Sequence, residues 1–122
     1  MILRALTLSM AAAPVAAQEV TPVVCLFRPV CAEGDCDAAS FSVEIAPIDH
    51  EPGLWVLSGG QLTPIRDVTP PDASLQSFVT QSSDRRTVIS VFRSGEAIYT
   101  RHFQRPGRGP AVESAIGQCE VL

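Results

Sequence analysis

The sequence predicts a mostly β domain, a small antiparallel barrel or sandwich of seven to eight short strands, and three observations carry that expectation. Ten prolines and eight glycines cut the 122-residue chain into short runs with no room for a long amphipathic helix. Those runs are rich in β-branched and aromatic residues, or alternate apolar with polar side chains at period two. Four cysteines follow a leader-like start, so covalent links can supplement a core that is marginal for so short a chain.

The elements follow in order. Met1-Ile2-Leu3-Arg4 precedes an apolar run from Ala5 to Ala13, and Pro14-Val15-Ala16-Ala17 stands before Gln18. One positive charge, a short apolar stretch and the small residues of a cleavage site describe a secretory signal peptide over residues 1–17. The apolar run is far shorter than the roughly 20 residues that a membrane-crossing helix needs, and no second run follows. Cleavage leaves residues 18–122 as one disulfide-stabilised β domain, periplasmic or secreted, with no membrane span. Val23 to Phe27 is dense in strand formers, Phe41 to Ile45 alternates, and Leu54 to Leu57 is a short apolar run in which Trp55 reads as core. Ser58-Gly59-Gly60-Gln61 is a turn signal, and Gln61 to Val68 returns with Pro64 implying an edge or a bulge. Leu75 to Thr80 forms a further strand. Thr87 to Phe92 and Ala97 to Thr100 form a hairpin. A two-residue turn at Ser94-Gly95 would set Arg93 opposite Glu96, Val91 opposite Ile98 and Arg86 opposite Phe103, with apolar residues on both faces and cover on each side. Pro110 to Ile116 has the makings of one short helical turn stopped by Gly117, and Cys119 to Leu122 reads as a closing strand.

Four cysteines in an exported chain point to two disulfides among three formal pairings. The favoured pairing joins Cys31 to Cys36 across a tight acidic loop and Cys25 to Cys119 between the first and last strands. No metal is expected: the cysteine spacings are not those of paired zinc ligands, and Cys31-Ala32-Glu33-Gly34-Asp35-Cys36-Asp37 lacks the spacing of a twelve-residue calcium loop. No cofactor is expected either.

Charge is unevenly placed. All nine basic residues are arginine; residues 18–83 hold nine acids and two arginines, whereas residues 84–122 hold four acids and six arginines. An acidic domain is a poor general binder of nucleic acid, which is therefore excluded as a partner. The hairpin end away from its turn gathers Arg85, Arg86, Arg101, His102 and Arg105, with Arg108 just beyond. Arginine's planar fork grips carboxylate or phosphate at two points, so this cluster is the candidate site for an anionic partner. The competing expectation is that these arginines pair internally with Asp84, Asp67, Glu113 or the acidic N-terminal half. His50, in an exposed turn, and His102 lack catalytic companions, and no GxSxG elbow is present.

Several pieces together resemble a family of small, exported, Cys-containing proteins of Gram-negative bacteria to which no activity is assigned. They are Cys25 to Cys36 with its acidic loop, Leu57-Ser58-Gly59, Ser77-Phe78-Val79, Thr100-Arg101-His102, and Glu113-Ser114 to Cys119-Glu120. The resemblance implies a shared fold and compartment and adds no chemistry. A fainter similarity is to periplasmic inhibitors of C-type lysozyme, small exported β-barrels with a disulfide and an SGxxY-type loop. Here Ser94-Gly95-Glu96-Ala97-Ile98-Tyr99 is one residue longer between glycine and tyrosine, and a one-residue shift turns a side chain to the opposite face. The expected function is a non-enzymatic binding or interaction module that meets a protein, peptide or envelope component through the arginine-rich end. A lysozyme-inhibitor-like protein is the alternative, and a small hydrolase-type enzyme the third reading.

Overall fold

The computed structural model describes residues 22–80 and 85–122. The expected signal peptide, residues 1–17, lies outside the described residues. Among the described residues there are nine strands and no helix: β1 (Val23–Ala32), β2 (Asp35–Asp37), β3 (Phe41–Pro47), β4 (Leu54–Ser58), β5 (Gln61–Asp67), β6 (Leu75–Thr80), β7 (Arg85–Phe92), β8 (Glu96–Arg105) and β9 (Gly109–Val121). All but β2 run up and down in chain order, each antiparallel to the next, and β9 returns to pair with β1, closing an eight-stranded barrel. The short β2 extends the wall beside the far end of β1, where Val30 to Ala32 leave β3 and pair with Asp35 to Asp37.

Closure is what lets short strands make a core. Period-two alternation sends Cys25 and Phe27, Val43 and Ile45, Val56, Ile65, Phe78, Ile89, Ala97 and Ala115 inward, and these ten residues form one buried cluster. Phe27 stacks on Phe41 with ring centroids 5.3 Å apart, and Tyr99 meets Phe41 edge-on at 4.9 Å, so three strands share one aromatic contact. Both disulfides join residues that face each other across a ladder: Cys25 with Cys119 between β1 and β9, and Cys31 with Cys36 between β1 and β2. A domain with every cysteine bonded in this way suits an oxidising compartment rather than the cytoplasm. None of the described residues forms a helix long and apolar enough to cross a membrane.

Four expectations are corrected. First, residues 110–116 are strand. Pro110 to Ile116 pairs with Gln104 to Ile98 on one side, and Glu113 to Ala115 pairs with Ala32 to Val30 on the other. A helical turn there would strip hydrogen-bond partners from both neighbouring strands. Second, Trp55 is not core; it lies on the outer wall opposite Pro64, half-buried, because Leu54 and Val56 on either side take the inward positions. Third, the hairpin register differs by one residue. Val91 faces Ala97 and Arg85 faces Phe103, so the loop is Arg93-Ser94-Gly95 rather than Ser94-Gly95 alone. Gly95 adopts a φ of 91°, the left-handed geometry that closes three-residue hairpin loops, and its carbonyl accepts a hydrogen bond of 2.7 Å from the Cys119 amide. That contact with β9 favours the longer loop. Fourth, the slip leaves the hairpin with one interior face and one outer face instead of cover on both: Ala97 is buried and Ile98 is 41% exposed.

Candidate functional site

The up-and-down order puts the Gly59-Gly60 turn, the β1–β2 hairpin tip and the Pro106-Gly107-Arg108 turn at one end of the barrel. That end is its mouth. The Arg93-Ser94-Gly95 turn and the chain ends mark the base, where the Leu122 amide donates to the Pro22 carbonyl at 2.9 Å.

The observed register decides which candidate residues share a surface. On β7, Arg85, Thr87 and Ile89 follow one another on the inner face; on β8, Tyr99, Arg101, Phe103 and Arg105 do so. Thr87 faces Arg101 directly, which makes Arg85 and Arg101 diagonal neighbours, within reach of each other for long side chains. Arg86 and His102 face each other on the outer wall, and both are exposed. Arg108 is exposed in the β8–β9 turn, its amide bonded to the Arg105 carbonyl at 3.2 Å. The structure therefore brings all six residues to the mouth end but divides them between inside, outside and rim.

Arg85 and Arg101 line a cavity of about 430 Å³ that opens at the mouth. Val43, Val56 and Ile89 give it an apolar floor, Tyr99 contributes an aromatic wall, and Ser58, Gln61, Thr63, Thr80 and Thr87 supply hydroxyl and amide groups around it. Its described lining residues include these two arginines and no carboxylate. No protein-family model, curated protein or solved structure matches this chain. A second hollow of about 630 Å³ lies beside the first, shares Ser58, Tyr99 and Arg101 with it, and includes Glu113. Arg101 stands where the two meet. Its guanidinium reaches Glu113 at 2.8 Å and lies 4.8 Å from the centre of the Phe103 ring, which fixes the side chain from two sides. Its Nε is buried with no acceptor among the described residues.

Arg105 is engaged differently. It pairs with Glu33 at the tip of the acidic β1–β2 hairpin and so ties that hairpin to the end of β8. Internal pairing, expected as the competitor of partner binding, thus accounts for Arg105 and for part of Arg101: the acids are Glu113 and, from the acidic N-terminal half, Glu33. Asp84 lies outside the described residues.

The other candidates lie elsewhere. His50 has a φ of 70° in the exposed β3–β4 connection, and the neighbours of His102 across the sheet are Arg86 and Val112. Ser94 and Gly95 sit at the base, while Tyr99 points inward against Phe27 and Phe41, so the residues of the SGxxY-like stretch do not share an exposed loop. Sequence reasoning missed Tyr99, Thr87, Thr63, Thr80 and Ser58 as cavity residues. Thr87 and Tyr99 would have followed from the three-residue loop, because each has the parity of a buried neighbour, Ile89 or Ala97. The remainder come from β4 to β6, and the chain carries no local signal that their ends converge on Arg85.

Proposed function

We propose that this protein is an exported, non-enzymatic binding module that recognises an anionic partner at the arginine-lined mouth of its barrel. The observation that carries the reading is the pair of inward guanidinium groups, Arg85 and Arg101, in a cavity with no described carboxylate of its own. Arg108 on the rim and Arg86 on the adjoining outer wall widen the positive field towards an approaching partner. Export, with residues 1–17 removed ahead of Gln18 and the domain residing in the periplasm of a Gram-negative bacterium or beyond it, agrees with the leader-like start and with two disulfides. Kinship with the small exported cysteine-containing proteins fits the same compartment.

The reading is tested by immobilising the oxidised protein and capturing partners from a periplasmic extract at low salt, beside an Arg85→Ala/Arg108→Ala variant. Partners held by wild type should elute at high salt, which shortens the Debye length from about 30 Å at 0.01 M to about 3 Å at 1 M, and the variant should retain markedly less of the same species. Partners retained equally by the variant, or insensitive to salt, would remove the arginine mouth from the account. Mass measurement of the exported product checks the leader: the expected mature chain begins at Gln18.

A further inference from the structure

The cavity has a polar, cationic entrance above an apolar floor, and that layering narrows the chemistry it can accept. Arg85 and Arg101 bring two like charges onto neighbouring positions of the inner face, and Glu113 offsets only the second. Like charges so placed repel, and an anion seated between them relieves that repulsion while taking forked hydrogen bonds from each. Below them, Ile89, Val43 and Val56 are 0%, 1% and 8% exposed, and Tyr99 rests against Phe27 and Phe41. Nothing charged lies at that depth among the described lining residues. A hydrated inorganic anion satisfies the arginines but leaves in water the apolar surface that Val56 and the half-buried Tyr99 ring still show. An anion with an apolar body satisfies both layers, and about 430 Å³ falls within the range of small-molecule sites, which in β-barrels lie at the mouth.

We infer that the barrel mouth is a binding site for a small amphiphilic carboxylate, its head between Arg85 and Arg101 and its apolar body on Val56 and the Tyr99 ring, above the buried Val43 and Ile89. This deepens the reading of the mouth as an anion-recognising end and rests on it. Arg101 already meets one carboxylate oxygen, Oε2 of Glu113, through Nη2 at 2.8 Å. Recognition therefore amounts to a second carboxylate meeting Arg101 beside Glu113, with the Arg85 guanidinium on its other side.

The experiment is a calorimetric titration of the oxidised protein with octanoate, butyrate, octylammonium and inorganic phosphate, repeated on Arg85→Met and Arg101→Met with the thermal midpoint recorded for each. Octanoate is expected to bind, butyrate to bind at least roughly tenfold more weakly for want of buried methylenes, and octylammonium not to bind. Each arginine variant should weaken octanoate by roughly tenfold or more, the usual scale of a hydrogen bond to a charged group. Arg85 is exposed, so Arg85→Met keeps the test valid if Arg101→Met fails to fold. Octanoate binding no tighter than butyrate, or phosphate binding as tightly as octanoate, overturns the amphiphile inference and leaves anion recognition standing. If octanoate affinity is unchanged in both variants, or octylammonium binds as well, the cationic mouth itself is refuted and both readings fall.

Discussion

Replacing Cys25 and Cys119 together by alanine should lower the unfolding free energy by about 4–5 kcal/mol, whereas removing Cys31 and Cys36 in the same way should lower it by about 2 kcal/mol. The first bridge spans a sequence separation of 94 and the second a separation of 5, and the difference follows from the conformational freedom that each removes from the unfolded chain. The larger loss is a sizeable share of the whole stability of a domain of this size, about 5–15 kcal/mol. The long bridge also lies on the one seam that sequence neighbourhood does not provide, the β1–β9 ladder, and Cys25 is fully buried within the core. Urea unfolding of the oxidised protein and the two double variants measures both quantities. Equal midpoint shifts for the two variants would contradict this account, because the entropic argument separates them by more than a factor of two.

Gly117→Ala should cost about 3 kcal/mol, at the upper end of what overpacking a closely fitted position usually costs. A Cβ at Gly117 would stand 2.3 Å from the Leu26 carbonyl oxygen and 2.7 Å from Cδ1 of Phe27. The first of these is backbone, so β1 and β9 must separate, and the second belongs to a fully buried ring in the aromatic contact with Phe41 and Tyr99. Gly107→Ala makes the comparison. Nothing lies within 4 Å of its added carbon, and its φ of 71° leaves only the left-handed backbone penalty, about 1–2 kcal/mol. Thermal unfolding of the two variants should therefore rank them with Gly117→Ala well below Gly107→Ala. The reverse order would mean that β9 can give way at Gly117, and that the ring packing above it is looser than its burial implies.

The fold class was legible because its signals are local. Phe41 to Ile45 alternates visibly, Gly59-Gly60 marks its turn, and Leu75 to Thr80 carries the residue types of a strand, so the β architecture and most strand positions follow from neighbouring residues. Register was not legible, because it depends on partners far along the chain. Ser94-Gly95 reads as a two-residue turn until the Cys119 amide is brought to the Gly95 carbonyl, and that one contact reassigns every side chain of β8 to the other face. Pro110 to Ile116 misled for the same reason: its local preferences are overridden by ladders on both sides. Of the candidate residues, the sequence set all six towards one end of the hairpin, where the structure also has them, but not their division between interior and exterior. It gave no sign that Thr63, Thr80 and Ser58 would gather around them.

The meander order has a consequence for how the chain is completed. From β3 onwards each strand finds its first partner a few residues away, yet β1 keeps one flank open until β9 arrives, and β9 must at the same moment complete β8. A chain still emerging, or one truncated before Gly109, is a curled ribbon with two bare edges. Its interior stays wet until the 13 residues of β9 slot between its first strand and its last hairpin.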